Sequence, residues 1–163
     1  MKTVWKFTNQ KELDKSQFIN YFERKVFRTI RKFQILPKEK IFILKKSKNL
    51  NTLILKQILE TKFQVEYSNN PNTSSDNLSQ SAEDIFKNII QGNFNIAQKT
   101  NAPLIQLSDK EIKLYGELKN IKGEKRKQDK KIQSLFEKFL TKNQDLEINI
   151  LNAANQLNEK KQY

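Results

Sequence analysis

"IFILKKSKNLNTLILKQILE", residues 41–60, holds the fold in small. Ile41 to Leu44 are four consecutive apolar residues, which reads as a buried strand with no wet face. A polar turn comes next, and from Asn51 to Thr61 apolar residues at Leu55, Ile58 and Leu59 recur at helical spacing. "FQVEYS", residues 63–68, is rich in β-branched and aromatic side chains and predicts a second strand. Strand, helix and strand over this length make a βαβ unit with parallel strands and a right-handed crossover. The layout is that of a nucleotide site, yet the turn Ser47-Lys48-Asn49-Leu50-Asn51-Thr52 contains no glycine. A loop wrapping a phosphate needs close backbone approach and positive φ, for which glycine is the usual residue.

Composition narrows the chemistry. The chain has 163 residues, enough for one domain of ordinary size, with 36% hydrophobic residues against 30% charged. It contains no Cys, which removes disulfides, thiolate metal sites, iron–sulfur clusters and cysteine nucleophiles. It contains no His either, so the usual general base and the commonest metal ligand are missing. Lys and Arg number 31 against 18 acids, a formal charge of +13. Such a field attracts polyanions, nucleic acid first and acidic membrane surfaces second, although a lysine-rich composition accounts for part of the excess. No apolar run is long enough for a membrane span and "MKTVWKFTNQKELDK" lacks a signal peptide's apolar core, so the expected location is cytoplasmic, with no membrane partner.

Outside the βαβ unit, residues 1–36 read as a polar lead and then an amphipathic helix from Lys11 to Phe33, ended by Pro37. At about 100° per residue, Phe18, Ile19, Phe22, Val26, Ile30 and Phe33 share one arc, and Arg24, Lys25, Arg28, Arg31 and Lys32 share the opposite one. A charged outer face is ordinary for a surface helix. A face of cations alone, with arginines suited to phosphate geometry, also fits RNA. Residues 69–80, "NNPNTSSDNLSQ", read as a polar and disordered loop, and Ser81 to Gly92 as a helix with Gly92 as its stop. "APLIQL" reads as a third strand, completing a core over residues 37–107. In the helical unit of residues 108–163, Ser108 and Glu111 form a capping box. The run "KGEKRKQDKK" reads as a hydrated stretch before a helix burying Ile132, Leu135, Phe136 and Phe139, with a last helix near Ile148 to Leu157. Glu111 with Glu117 makes a weak acid–base pair and Asp76 with Asp84 a poor metal site, both read as surface. Trp5, Phe7 and Tyr21 suit core packing better than base stacking.

Several segments, in order, resemble the PP-loop ATP pyrophosphatase superfamily, in its archaeal and eukaryotic cytoplasmic tRNA 2-thiolation branch. "FINYFERKVFRTIRKFQILPKEKI" is similar to that branch's helix leading into its first strand. "SDNLSQSAEDIFKNIIQGN" resembles a segment with a Gly-His-Asn-x-Asp-Asp-x-Ala start, through Asn77, Ala82, Asn88 and Gly92. "PLIQLSDKEIKLYGELKNI" resembles a Pro-Leu-Arg segment and its adjoining Glu-Ile-x-x-Tyr helix, through Pro103, Leu104, Lys110, Glu111, Ile112 and Tyr115, and "NQDLEINIL" resembles the ending of the C-terminal unit. The resemblance covers about two thirds of the chain. It implies a reduced Rossmann-like (adenine nucleotide alpha hydrolase-like) three-layer α/β domain with a short parallel sheet, an N-terminal basic helix and a helical C-terminal unit.

The departures fall where chemistry is expected. The family's Ser-Gly-Gly-x-Asp-Ser loop aligns with residues 47–52, so Ser47, Asn51 and Thr52 are the degenerate nucleotide-binding positions. Asn51 replaces the acid that would help hold Mg²⁺. Asp76 stands at the family's His, Ser79 and Gln80 at its paired Asp positions, and the family's cysteines have no counterpart. The resemblance therefore implies a shortened, noncatalytic tRNA-binding relative of the uridine 2-thiolation enzymes, with tRNA and an intact thiolation-family protein as partners. No cofactor is expected, and ATP–Mg only if the degenerate loop still binds it. The RNA-binding residues would be Arg24, Lys25, Arg28, Arg31, Lys32, Lys45, Lys46 and Lys48. A protein–protein module or decayed remnant, an active ATP-dependent sulfur transferase, and an unrelated basic helical protein are the competing readings.

Overall fold

A computed structural model describes residues 2–94 and 101–160. The chain opens with an antiparallel hairpin, β1 (Thr3–Lys6) and β2 (Glu12–Asp14), and runs directly into α1 (Lys15–Lys32). Helix α1 therefore starts later than the periodicity from Lys11 suggests. Asp14 is the reason: its carboxylate accepts the Gln17 N–H at 2.9 Å while the Gln17 side chain accepts the Asp14 N–H at 3.0 Å, a reciprocal cap that blocks helix upstream. The hairpin lays Trp5 against Phe18, with ring centroids 5.4 Å apart, and Phe7 edge-on to Tyr21 at 5.1 Å. These aromatics are core, as expected. Phe18, Phe22, Val26 and Ile30 are buried, but Phe33 emerges because α1 has already ended. Pro37 is not what stops it. Gln34 turns left-handed at φ 52°, and the Ile35 N–H donates back to the Ile30 carbonyl at 2.9 Å.

Strand β3 (Ile41–Leu44) pairs in parallel with β4 (Gln64–Tyr67), joined by α2 (Leu50–Leu59), in the register Ile41↔Gln64 to Leu44↔Tyr67. The expected βαβ unit is present. Phe42 and Leu44 are fully inside and Ile41 and Ile43 half-buried, so one face of β3 is partly wet. Among the described residues the sheet has two strands, and "APLIQL" is not a third. Pro103 has no N–H to give a ladder, and the segment folds into tight turns instead, the Ile105 N–H donating to Ala102 and Leu107 to Leu104. Its apolar residues still reach the core as turn residues.

Within residues 69–80, read as a disordered loop, Asn72 to Asn77 take the third strand's place and pack against the chain, while residues 69–71 are exposed and Leu78 already starts a helix. The Asn72 side chain accepts the Ile43 N–H at 2.8 Å and donates to the Ile41 carbonyl at 3.0 Å. Together with the Asn72 and Thr73 N–H groups, which donate to the Ile43 carbonyl at 3.1 and 3.2 Å, this carboxamide satisfies the free edge of β3, which would otherwise leave backbone groups unpaired. Helix α3 (Leu78–Ile90) comes next, capped by Asn77, and closes at Gly92 with φ 72° and two backward hydrogen bonds. The Gly92 stop is as read from sequence. Helix α4 (Asp109–Leu118) begins with the expected Ser108–Glu111 capping box. Helices α5 (Lys130–Leu140) and α6 (Leu146–Lys160) complete the chain. Ile132 and Phe136 of α5 face inward with Leu140, at i, i+4 and i+8, whereas Leu135 and Phe139 are exposed, because the packed stripe covers only part of the helix's apolar arc.

The main core joins α1, β3, α2 and α4, with Tyr115 stacked on Phe22 at 4.2 Å. A second cluster joins α3 and α6 through Leu78, Ile85, Leu151 and Ala154. At Gln34 a side chain in the left-handed region costs about 1–2 kcal/mol, which glycine relieves at some loss through the unfolded chain. Gln34→Gly should therefore raise stability by about 0.5–1 kcal/mol, read from the urea midpoint at unchanged slope.

Candidate functional site

The turn between β3 and α2 is where a phosphate would sit in a βαβ nucleotide site. Here it is an ordinary helix cap. No residue from Ser47 to Thr52 has positive φ, so this backbone never asks for the missing glycines. Asn49 is the N-cap at φ −64°, ψ 134°. Three successive N–H groups are used internally: Asn49 donates to Ser47 Oγ at 3.0 Å, Leu50 to the Glu124 carbonyl at 2.7 Å, and Asn51 to Asn49 Oδ1 at 2.8 Å. Asn51 and Thr52 are buried, Asn51 donating to the Ser75 carbonyl at 3.2 Å and Thr52 to Ser75 Oγ at 3.0 Å. Their side chains tie the loop to the β3-edge segment. An anion seated on the Asn49, Leu50 and Asn51 N–H groups would have to displace those three bonds.

Glu124 belongs to the α4–α5 connection, which crosses the loop like a strap. The Glu124 N–H donates to the Lys48 carbonyl at 2.8 Å, so the two segments form a parallel bridge. Gly123 makes the crossing feasible: a Cβ there would lie 2.9 Å from the Leu50 Cα. The strap is pinned at Arg126. Its guanidinium grips Asp109 with Nε at 2.9 Å and Nη2 at 2.8 Å, and gives Nη1 to Glu83 at 3.0 Å. The fork is buried. Burial alone would lower the arginine's pKa, but Asp109 and Glu83 outweigh it and raise it. This overturns the hydrated reading of the charged run at this residue, since a guanidinium between two carboxylates can enter the interior where isolated lysines cannot.

The same network extends through the segment that resembles the family's Asn-x-Asp-Asp motif. Asn77 caps α3 and donates to Asp109 at 2.8 Å. Ser79, at the family's first Asp position, accepts the Asp109 N–H at 2.9 Å and donates to the buried Glu147 of α6 at 2.7 Å. Burial raises the Glu147 pKa, opposed by the Ser79 hydrogen bond. Gly123, Glu124, Arg126 and Glu147 were not among the residues that sequence singled out. A lone glycine inside a lysine run was the one available sign of close approach. Beside the loop, a cleft of about 260 Å³ is lined by Lys45, Thr52, Thr73, Ser74, Ser75 and Asn101, among others.

Among the expected RNA-facing cations, Arg24, Arg28, Arg31, Lys45, Lys46 and Lys48 are exposed and hold no ion pair among the described residues. Lys32 is exposed and lies over the Phe33 ring. Lys25 differs. Its Nζ donates to the Tyr21 hydroxyl at 2.8 Å and to Glu111 at 3.3 Å, a latch between α1 and α4 in which burial, then Glu111, raises the tyrosine's pKa. Glu111 is therefore buried rather than on the helix surface as the sequence suggested, because it is held by this latch and by its cap.

No family model matches the chain, and no curated protein matches it. Among solved structures it is similar to the U34-tRNA thiolase NcsA from Methanococcus maripaludis with its [4Fe-4S] cluster, at a TM-score of 0.73 and 12% identity over 96% of this chain and 84% of that one. The fold is that of this thiolase. The expected Rossmann-like α/β class is correct. The neighbour's cluster does not fit the residues here: the chain has no cysteine, and among the described residues no group of three or more His, Cys, Asp or Glu could hold a metal ion. ATP–Mg fits poorly too, because three successive N–H groups at the helix start, those of Asn49, Leu50 and Asn51, already have acceptors within the chain and Asn51 brings no charge. Among the described residues no helix is long and apolar enough to cross a membrane.

Two measurements check the buried network. Arg126→Met should cost about 3–5 kcal/mol in urea unfolding, since Asp109 and Glu83 lose their counter-ion. For Glu147 the folded state keeps its proton to higher pH than the unfolded value of about 4.5, so it binds more protons and stability falls as pH rises past that point. The stability of Glu147→Gln relative to wild type should therefore grow from about pH 4 to pH 7, and a pH-independent difference would refute the assignment.

Proposed function

We propose that the protein is a noncatalytic tRNA-binding relative of the uridine 2-thiolation enzymes, acting in tRNA modification beside an active partner. The observation that carries it is the pairing of a thiolase fold with a phosphate loop in which the Asn49, Leu50 and Asn51 N–H groups are taken up by the chain itself. Such a loop retains the scaffold and loses the chemistry that adenylation needs. Fold alone does not carry function, so the binding role is argued from charge.

Arg24, Arg28 and Arg31 recur at helical spacing, giving axial offsets of about 6 Å and 4.5 Å between their successive backbone positions along α1, from which long guanidinium arms can reach neighbouring phosphates on one strand. With Lys32, Lys45, Lys46 and Lys48 they supply exposed charge that no acid neutralises among the described residues. Lys25, latched to Glu111, stays out of the set. Contacts of this kind position an RNA backbone without reading its bases.

Binding to unfractionated tRNA should weaken by at least about a hundredfold between about 50 and 200 mM salt, the mark of several released counterions. Arg24→Gln with Arg28→Gln and Arg31→Gln should reduce that salt slope. Mg-ATP at millimolar concentration should leave the melting temperature unchanged. Salt-independent binding, or a clear nucleotide-induced shift, would overturn the reading.

A further inference from the structure

The strap and the phosphate loop are far apart in sequence and adjacent in space. The parallel bridge between Asn49 and Glu124 sets Lys48–Leu50 beside Gly123–Lys125, at the roughly 5 Å spacing of paired strands, and so brings the loop and the strap that carry the flanking lysines together. Each segment carries three exposed lysines without an ion pair among the described residues: Lys45, Lys46 and Lys48 in the loop, and Lys122, Lys125 and Lys127 in the strap. Only one carboxylate, Glu124, interrupts them. Arg126 lies between Lys125 and Lys127 but turns inward to Asp109 and Glu83, so its charge is neutralised while its backbone is held still. We infer that these six lysines form one preorganised surface for an RNA phosphate backbone, in which the strap lysines are contact residues.

This inference rests on the tRNA reading and adds a second contact surface beside α1. Three features favour RNA over an acidic protein. Neither segment exposes a large apolar side chain, whereas a protein interface needs a buried apolar or aromatic anchor at its centre. Phosphates need only charge at suitable spacing. The bridge and the Arg126 fork also hold the lysine backbones fixed before binding, which lowers the ordering cost of contact.

The test uses the full chain and unfractionated tRNA as the probe. Three variants are compared with wild type: Lys122→Gln with Lys125→Gln and Lys127→Gln; the same three positions changed to Arg; and the α1 triple Arg24→Gln, Arg28→Gln, Arg31→Gln. All of these side chains are exposed, so folding should be retained and is checked by melting. The expected result is at least about tenfold weaker tRNA binding by the strap Gln variant at about 100 mM salt, with a shallower salt slope, and near wild-type binding by the Arg variant. Wild-type affinity in the strap Gln variant together with weakened binding in the α1 variant would overturn this surface and leave the tRNA reading standing. Absence of tRNA binding by wild type even at about 50 mM salt would overturn both. Displacement of tRNA by polyglutamate at equal charge concentration would assign the surface to acidic partners in general and overturn the RNA claim.

Discussion

One buried guanidinium organises the C-terminal half of the molecule. Arg126 bridges Asp109 at the start of α4 and Glu83 in α3, and Glu83 also accepts the Asp129 N–H at the cap of α5 at 2.8 Å. Three helices and the strap meet at that point. An ion pair out of water returns little net stability against apolar packing, but its geometry is demanding, and that is what places the strap. With Arg126 anchored, Glu124 arrives opposite Lys48 and Leu50, and the first turn of α2 finds its hydrogen-bond partner inside the chain.

A helix N-terminus leaves N–H groups without intrahelical acceptors, and some acceptor must fill the gap. In a nucleotide-binding βαβ unit the phosphate can do so. Here a backbone carbonyl and two side-chain oxygens do it, at no cost in glycine and with no strained φ. The same economy holds at the sheet edge, where the Asn72 carboxamide serves a strand that would have a third partner in a larger sheet. Both replacements are local and polar. They let this chain keep the thiolase-like architecture over nearly its whole length.

Charge and chemistry are separated in this molecule. The inward-turned ionic groups are consumed: Arg126 by two acids, Lys25 by Tyr21 and Glu111, and Glu147 by Ser79. The outward cations on α1, on the loop and on the strap hold no such partners among the described residues. A protein with this division has an interior ordered by ion pairs and an exterior suited to a polyanion.

From residue types alone came the βαβ unit, the amphipathic α1, the Gly92 stop and the Ser108 cap, because each depends on periodicity or turn chemistry within a few residues. Legible too were the missing glycines and the absence of Cys and His. Tertiary structure decided the rest. The hairpin displaced the first turns assigned to α1, the Asn72 edge replaced the third strand, and Arg126 went inside a run that reads as solvated. It also set the strap on the loop, joining lysines more than seventy residues apart. These outcomes depend on which buried polar group finds its partner across the fold, and a linear pattern carries no information about that pairing.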